Sequence, residues 1–143
     1  MQMLSILIIG AILFLGFPHS AAAAVTRNGN ELLSACTLAM SIVDSPQAID
    51  QMLGRPHQAL EAGYCLGLLH AVTNMNAFWQ HYSKDTSMFF CLPPQSTVNQ
   101  WTRIVVKYLQ EHPERLQEAD IGLAIRAFTT AFPCPSKIQS PRR

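Results

Sequence analysis

Charge is what the beginning of the sequence lacks. Met1 to Ala24 contains no Asp, Glu, Lys or Arg, and all ten Lys and Arg and all nine Asp and Glu follow it. Within it an apolar run from Leu4 to Phe17 leads to Ala21, Ala22, Ala23 and Ala24, the pattern of a secretory signal peptide cleaved after Ala23 or Ala24. A run of about 14 residues is short for a spanning helix. The usual basic residue before it is missing, which leaves an uncleaved anchor as the alternative. The remainder has no interior linker rich in Gly, Ser or Pro, so residues 25–143 are expected to form one domain after a signal peptide at 1–24. The formal net charge is +1 with no block of one sign, so nothing points to nucleic acid. There is no Cys-x-x-Cys, and His57, His70, His81 and His112 fall at no ligand spacing; neither a metal nor a cofactor is expected. No segment alternates polar with apolar residues as a half-buried strand does, and no internal repeat is visible.

What is present is helical patterning and four cysteines, Cys36, Cys65, Cys91 and Cys134. An even number in an exported chain predicts two disulfides and an oxidising compartment such as the periplasm. Leu32, Cys36, Met40 and Val43 mark one face of a first helix, capped by Asn30 or Asn28. Asp44, Ser45 and Pro46 restart the chain as a short helix that Gly54 and Pro56 end. From His57 to about His81 runs the longest segment, with Leu60, Tyr64, Leu68, Val72, Met75 and Trp79 as the expected buried face. Beside it Gly63, Gly67 and Ala71 form a ridge of small residues; the two glycines cost roughly 1 kcal/mol each in a helix, so close packing of another backbone is expected there. Thr97 and Gln100 form a capping box opening a third helix, with Trp101, Val105 and Tyr108 buried, which stops at His112 and Pro113. A fourth runs from Leu116 to Phe132 through Leu123, Ala124, Ala127, Phe128 and Ala131. The fold class is therefore all-α, a small four-helix domain with one short extra helix, stapled by disulfides. A short turn makes the third and fourth helices antiparallel, which brings Cys91 near Cys134 and leaves Cys36 for Cys65, one of three possible connectivities.

Two segments bear on function. Gly63-Tyr64-Cys65-Leu66-Gly67 has the form of a nucleophile elbow with Cys for Ser, but an elbow needs a strand before it and this one lies inside a helix. Cys65 reads as structural, no catalytic residue is assigned, and a cysteine hydrolase would instead require a free thiol. The connection after the second helix, His81, Tyr82, Ser83, Lys84, Asp85, Thr86, Met88 and Phe89, is the candidate for partner recognition. It has a polar tip suited to a cleft and an aromatic that can anchor an interface, ahead of a Pro93-Pro94 stop. Phe78, Trp79, Phe90 and Trp101 read as core.

Several strings together resemble the Rap/Tai family, immunity proteins that protect bacteria from amidase toxins delivered by type VI secretion. They are Gly29-Asn30-Glu31-Leu32-Leu33 with Cys36, Cys65-Leu66-Gly67, Cys91-Leu92-Pro93 with Thr97 and Gln100, Tyr108-Leu109 with His112-Pro113-Glu114, and Ala131-Phe132-Pro133-Cys134. Leu68 and Asn74 depart from the family pattern. The resemblance implies a periplasmic, often homodimeric helical protein that binds a peptidoglycan amidase and occludes its cleft without turnover. The alternative is a homodimeric structural or chaperone-like periplasmic module with no toxin partner.

Overall fold

The computed structural model describes residues 27–44, 54–82 and 90–135; the N-terminal segment, the short helix expected after Asp44 and most of the connection after Tyr82 lie outside them. The described residues form α1 (Gly29–Asp44), α2 (Pro56–Tyr82), α3 (Val98–Glu111), a 3-10 turn at Pro113–Arg115 and α4 (Asp120–Ala131). Among these residues there is no strand beyond two isolated bridges, Asn28 with Ala119 and Phe90 with Pro133.

Local chemistry sets the ends. Asn28 rather than Asn30 caps α1: its Oδ1 accepts from the N–H groups of Asn30 at 3.0 Å and Glu31 at 3.2 Å, while Glu31 Oε2 accepts from the Asn28 N–H at 2.9 Å. This reciprocal pair satisfies donors that the first turn leaves orphaned. Thr97 and Gln100 form the expected capping box on α3. Pro113 cannot continue α3, and the chain turns through 3-10 geometry before Asp120, so α4 begins four residues later than the periodicity suggested.

α1 lies at the centre and packs against the other three helices. Its buried face, Leu32, Ala35, Cys36 and Ala39, carries two alanines that let its neighbours approach closely. Gly29 serves the same end at the helix start, where an added Cβ would fall 2.5 Å from Leu123 Cδ1 and 2.9 Å from Leu116 Cα. α3 contributes Val105, Val106, Tyr108 and Leu109, and α4 contributes Leu123, Ala124, Ala127 and Phe128. The Cys36–Cys65 disulfide runs through this core with both half-cystines fully buried, and Cys91–Cys134 closes the other end.

The orientation of α2 corrects the sequence reading. Its buried residues are Ala62, Cys65, Leu69, Val72 and Thr73, whereas Leu60, Met75, Phe78 and Trp79, expected in the core, are 73, 56, 52 and 49% exposed. Gly63 and Gly67 do not receive another backbone; a Cβ added at either meets nothing within 4 Å. The cause is the disulfide. Bonded to a buried cysteine of α1, Cys65 must point inward, and that rotates the Gly63–Gly67 face to the outside. An arc of polar groups closes one flank of α2. Arg27 makes a two-pronged ion pair with Glu61, at 2.7 and 3.1 Å, and lies 4.1 Å over the Tyr64 ring. The Tyr64 hydroxyl donates to the buried Asp120 carboxylate, which also accepts from the Ile121 N–H at 2.6 Å. The start of α1, the middle of α2 and the start of α4 are thereby joined.

Candidate partner-binding surface

Of the residues expected to recognise a partner, His81 and Tyr82 are placed at the exposed C-terminal end of α2, with Tyr82 67% exposed. Ser83, Lys84, Asp85, Thr86, Met88 and Phe89 lie outside the described residues. Phe90, where the chain is described again, shows how the base of that connection is fixed. Its ring is buried and stacks on Phe128 with centroids 4.8 Å apart. Its carbonyl accepts from Asn76 Nδ2 at 2.9 Å and from Gln80 Nε2 at 2.6 Å, and its N–H donates to Asn76 Oδ1 at 3.3 Å. The next residue, Cys91, donates its N–H to the Phe132 carbonyl at 2.9 Å and is bonded to Cys134.

Asn76 and Gln80 are one turn apart on α2, so both amides reach the same peptide group. A side-chain amide offers a donor and an acceptor at once, and Asn76 uses both on Phe90. The clamp holds Phe90 against the last two turns of α2 and so fixes the start and the end of the intervening segment relative to each other. These two residues were not singled out from the sequence. The signal was there, as two amides four apart on a helix that carries no Asp, Glu, Lys or Arg at that end.

The surface beside the clamp is aromatic and uncharged. Phe78 meets Trp79 edge-on at 5.6 Å and Tyr82 at 4.6 Å, and His81 meets Tyr82 edge-on at 4.9 Å. From Ala62 to Tyr82 there is no Asp, Glu, Lys or Arg. Exposed aromatics of this kind are the side chains that dominate protein interfaces, because they bury large area for little lost rotamer freedom.

Two shallow grooves lie elsewhere. One, of about 490 Å³, is lined by Pro93, Gln100, Arg103, Ile104 and Phe132, and Arg103 at its edge is paired with Asp44 at 2.5 Å. The other, of about 850 Å³, is polar and lies between α1 and α2 beside Ser34, Thr37, His57 and Glu61. There the hydrogen bond from Arg27 holds the Glu61 carboxyl below its ordinary pKa, and the Arg27 guanidinium is raised in turn. The same holds for Glu118 and Arg115 at the foot of α4. Glu61 and Glu118 each already have their own cation, while Glu31, which also lines the second groove, accepts from the Asn28 N–H.

Nothing in this geometry resembles an elbow nucleophile. Cys65 sits mid-helix, fully buried and bonded to Cys36, and all four cysteines are paired. Two disulfides fit an oxidising compartment.

The family model described as Rap1a immunity proteins matches residues 28–134, from the cap of α1 to the last half-cystine. No curated protein and no solved structure matches the chain.

Proposed function

The chain belongs to the Rap1a immunity protein family, and on that premise we propose that it binds a peptidoglycan amidase effector of type VI secretion in the periplasm and blocks its catalytic cleft. Immunity of this kind is stoichiometric. The protein turns nothing over and needs no cofactor; it works by occupying the space the substrate would use. The segment 1–24 directs export and is removed, and residues 25–143 are the acting domain.

The observation that carries this reading is the amide clamp. Occlusion requires a segment whose ends are fixed before binding, since ordering a free loop at the interface subtracts from affinity. Asn76, Gln80 and the Cys91–Cys134 bridge fix those ends. They do so next to Phe78, Trp79 and Tyr82, whose exposed rings supply anchoring area at the margin of the contact. The segment from His81 to Phe89 then enters the cleft.

The test is capture followed by titration. The disulfide-bonded protein is used to pull down periplasmic and secreted proteins of its own strain and of competing strains, and any amidase recovered is titrated with it. The expected result is a linear fall of peptidoglycan hydrolysis to an end point of one chain per enzyme. Full hydrolysis in the presence of excess protein would refute the reading.

A further inference from the structure

We propose that the Cys91–Cys134 bridge is a thiol–disulfide exchange site, opened by a thioredoxin-type dithiol protein through attack on the Cys91 sulfur, while the Cys36–Cys65 bridge stays closed and the fold persists. The inference concerns the chain alone and does not rest on the amidase.

The two bridges sit in opposite surroundings. Cys36 and Cys65 lie within α1 and α2, both at 0% exposure, and their bond crosses the core. An attacking thiolate has to approach along the sulfur–sulfur axis, so it reaches this bond only when the two helices part. The fraction of a folded domain opened that far is on the order of 10⁻³ or less. Cys91 and Cys134 lie outside the helices, each next to a residue of the Phe90–Pro133 bridge, with Cys91 exposed and Cys134 half-buried. An exposed half-cystine needs no such parting. Exchange follows access to the sulfur, and exposed bridges are the labile ones. The rim around Cys91 is uncharged: Pro93, Pro94, Pro133 and Pro135 are exposed and Leu92 is half-buried. That rim suits the neutral surface of a protein better than a small charged thiol.

The reaction is a two-step exchange. A thiolate of the dithiol protein bonds to Cys91 Sγ as the Cys134 sulfur leaves as a thiolate and takes up a proton. The second thiol of the dithiol protein then attacks its own first sulfur, and Cys91 departs as a thiolate that is protonated in turn. Two electrons and two protons pass from the dithiol, which becomes a disulfide, to the bridge, which becomes two thiols. A second thiol on the attacking protein is needed because the displaced Cys134 stays in the chain and can attack the mixed disulfide in return. What remains after opening is asymmetric. Cys91 is held without the bridge: the Phe90 ring is buried against Phe128, the Phe90 peptide is bonded to Asn76 and Gln80, and the Cys91 N–H donates to the Phe132 carbonyl at 2.9 Å. Cys134 lies past the end of α4 at Ala131, between two prolines that have no N–H to give. Opening therefore frees Cys134 and leaves Cys91, the amide clamp and the four helices in place.

The test applies dithiothreitol to the folded, oxidised chain, with iodoacetamide quenches at intervals and mass spectrometry of each cysteine peptide. Cys91 and Cys134 are expected to be alkylated at least about a hundredfold faster than Cys36 and Cys65, with helical circular dichroism unchanged while only the first pair is open. A thioredoxin whose second active-site cysteine is replaced by serine cannot complete the second step, so it is expected to stay bonded to the chain, at least about tenfold more on Cys91 than on Cys134. Equal rates at the two bridges overturn the proposal, as does loss of helical signal when the Cys91–Cys134 bridge opens. A trapped thioredoxin carried mainly on Cys134, or on neither cysteine while dithiothreitol opens the bridge, overturns it as well. None of these readouts involves an amidase, so this reading and the immunity reading fail separately.

Discussion

Replacing the half-cystines by alanine or by serine separates what the two disulfides do for the unfolded chain from what they do for the core. The bridges close loops with separations of 29 and 43 residues, for which chain entropy gives about 3.6 and about 4.0 kcal/mol, nearly the same. Their surroundings are not the same. Cys36 and Cys65 are fully buried, whereas Cys91 is exposed and Cys134 half-buried. Alanine at 36 and 65 adds two sulfur-sized voids, on the order of 1 kcal/mol together. Serine there takes two hydroxyls out of water among apolar side chains, and even with each bonded to a carbonyl one turn back the cost is about 1–2 kcal/mol each. The serine pair at 36 and 65 should therefore be about 2–4 kcal/mol less stable than the alanine pair, while serine and alanine at 91 and 134 should agree within about 0.5 kcal/mol. Equilibrium urea denaturation of the four double variants measures both differences, and each comparison shares one loop length, so the entropy term cancels. A serine-minus-alanine difference below 1 kcal/mol at 36 and 65 would refute the assignment of that bridge to the core.

Three further outcomes follow from the same geometry. Gly29→Ala should destabilise by about 1–3 kcal/mol, because its Cβ would meet the Leu116 backbone, while Gly122→Ala, with nothing within 4 Å, should stabilise by about 0.5–1 kcal/mol; thermal melts of the two variants test the pair of signs. Phe128→Ala removes a fully buried ring stacked on Phe90 and should cost about 3–5 kcal/mol in urea denaturation. The Glu61 carboxyl is held below its ordinary pKa by its hydrogen bond from Arg27, so its contribution is present above the unfolded value and is lost as pH falls through the lower folded value; melting temperature against pH should drop less steeply below about pH 4.5 in Glu61→Gln than in the wild type, and parallel curves would refute this role.

Three helix ends were legible in the sequence because each is decided by chemistry within four residues: the Thr97–Gln100 box, Pro113 after α3 and Pro133 after α4; the start of α4, with no such signal, was not. The all-α class was legible from helical periodicity, and the disulfide pairing because the short turn between α3 and α4 makes them antiparallel and sets Cys91 beside Cys134. The buried face of α2 was not. Periodicity identifies a buried face by contrast with a polar one, and between Ala62 and Tyr82 there is no charged residue to supply the contrast. Leu60, Tyr64, Leu68, Val72, Met75 and Trp79 form as regular a stripe as Ala62, Cys65, Leu69, Val72 and Thr73; the two share Val72, and side-chain size favoured the one whose Leu60, Met75 and Trp79 are exposed. A half-cystine is the better guide to helix phase, because a disulfide to the core fixes its direction while a leucine merely prefers one. At the candidate site, His81 and Tyr82 were read as the start of the connection after the second helix, whereas they form its exposed last turn. Asn76 and Gln80 escaped because their role depends on a backbone group ten to fourteen residues away in sequence.

The uncharged character of α2 also explains how one helix serves two purposes in this fold. Its inner face is fixed by a buried disulfide, and its last turns hold Phe90 with amides rather than ions. An ion pair at that position would have tied the connection as firmly, but it would have placed a formal charge beside Phe78 and Tyr82, and the desolvation of that charge would oppose every contact made there. Neutral amides satisfy the Phe90 peptide without that penalty. The outer surface of α2 is thus left free to be covered, which is what the proposed occlusion of an effector would require of its scaffold.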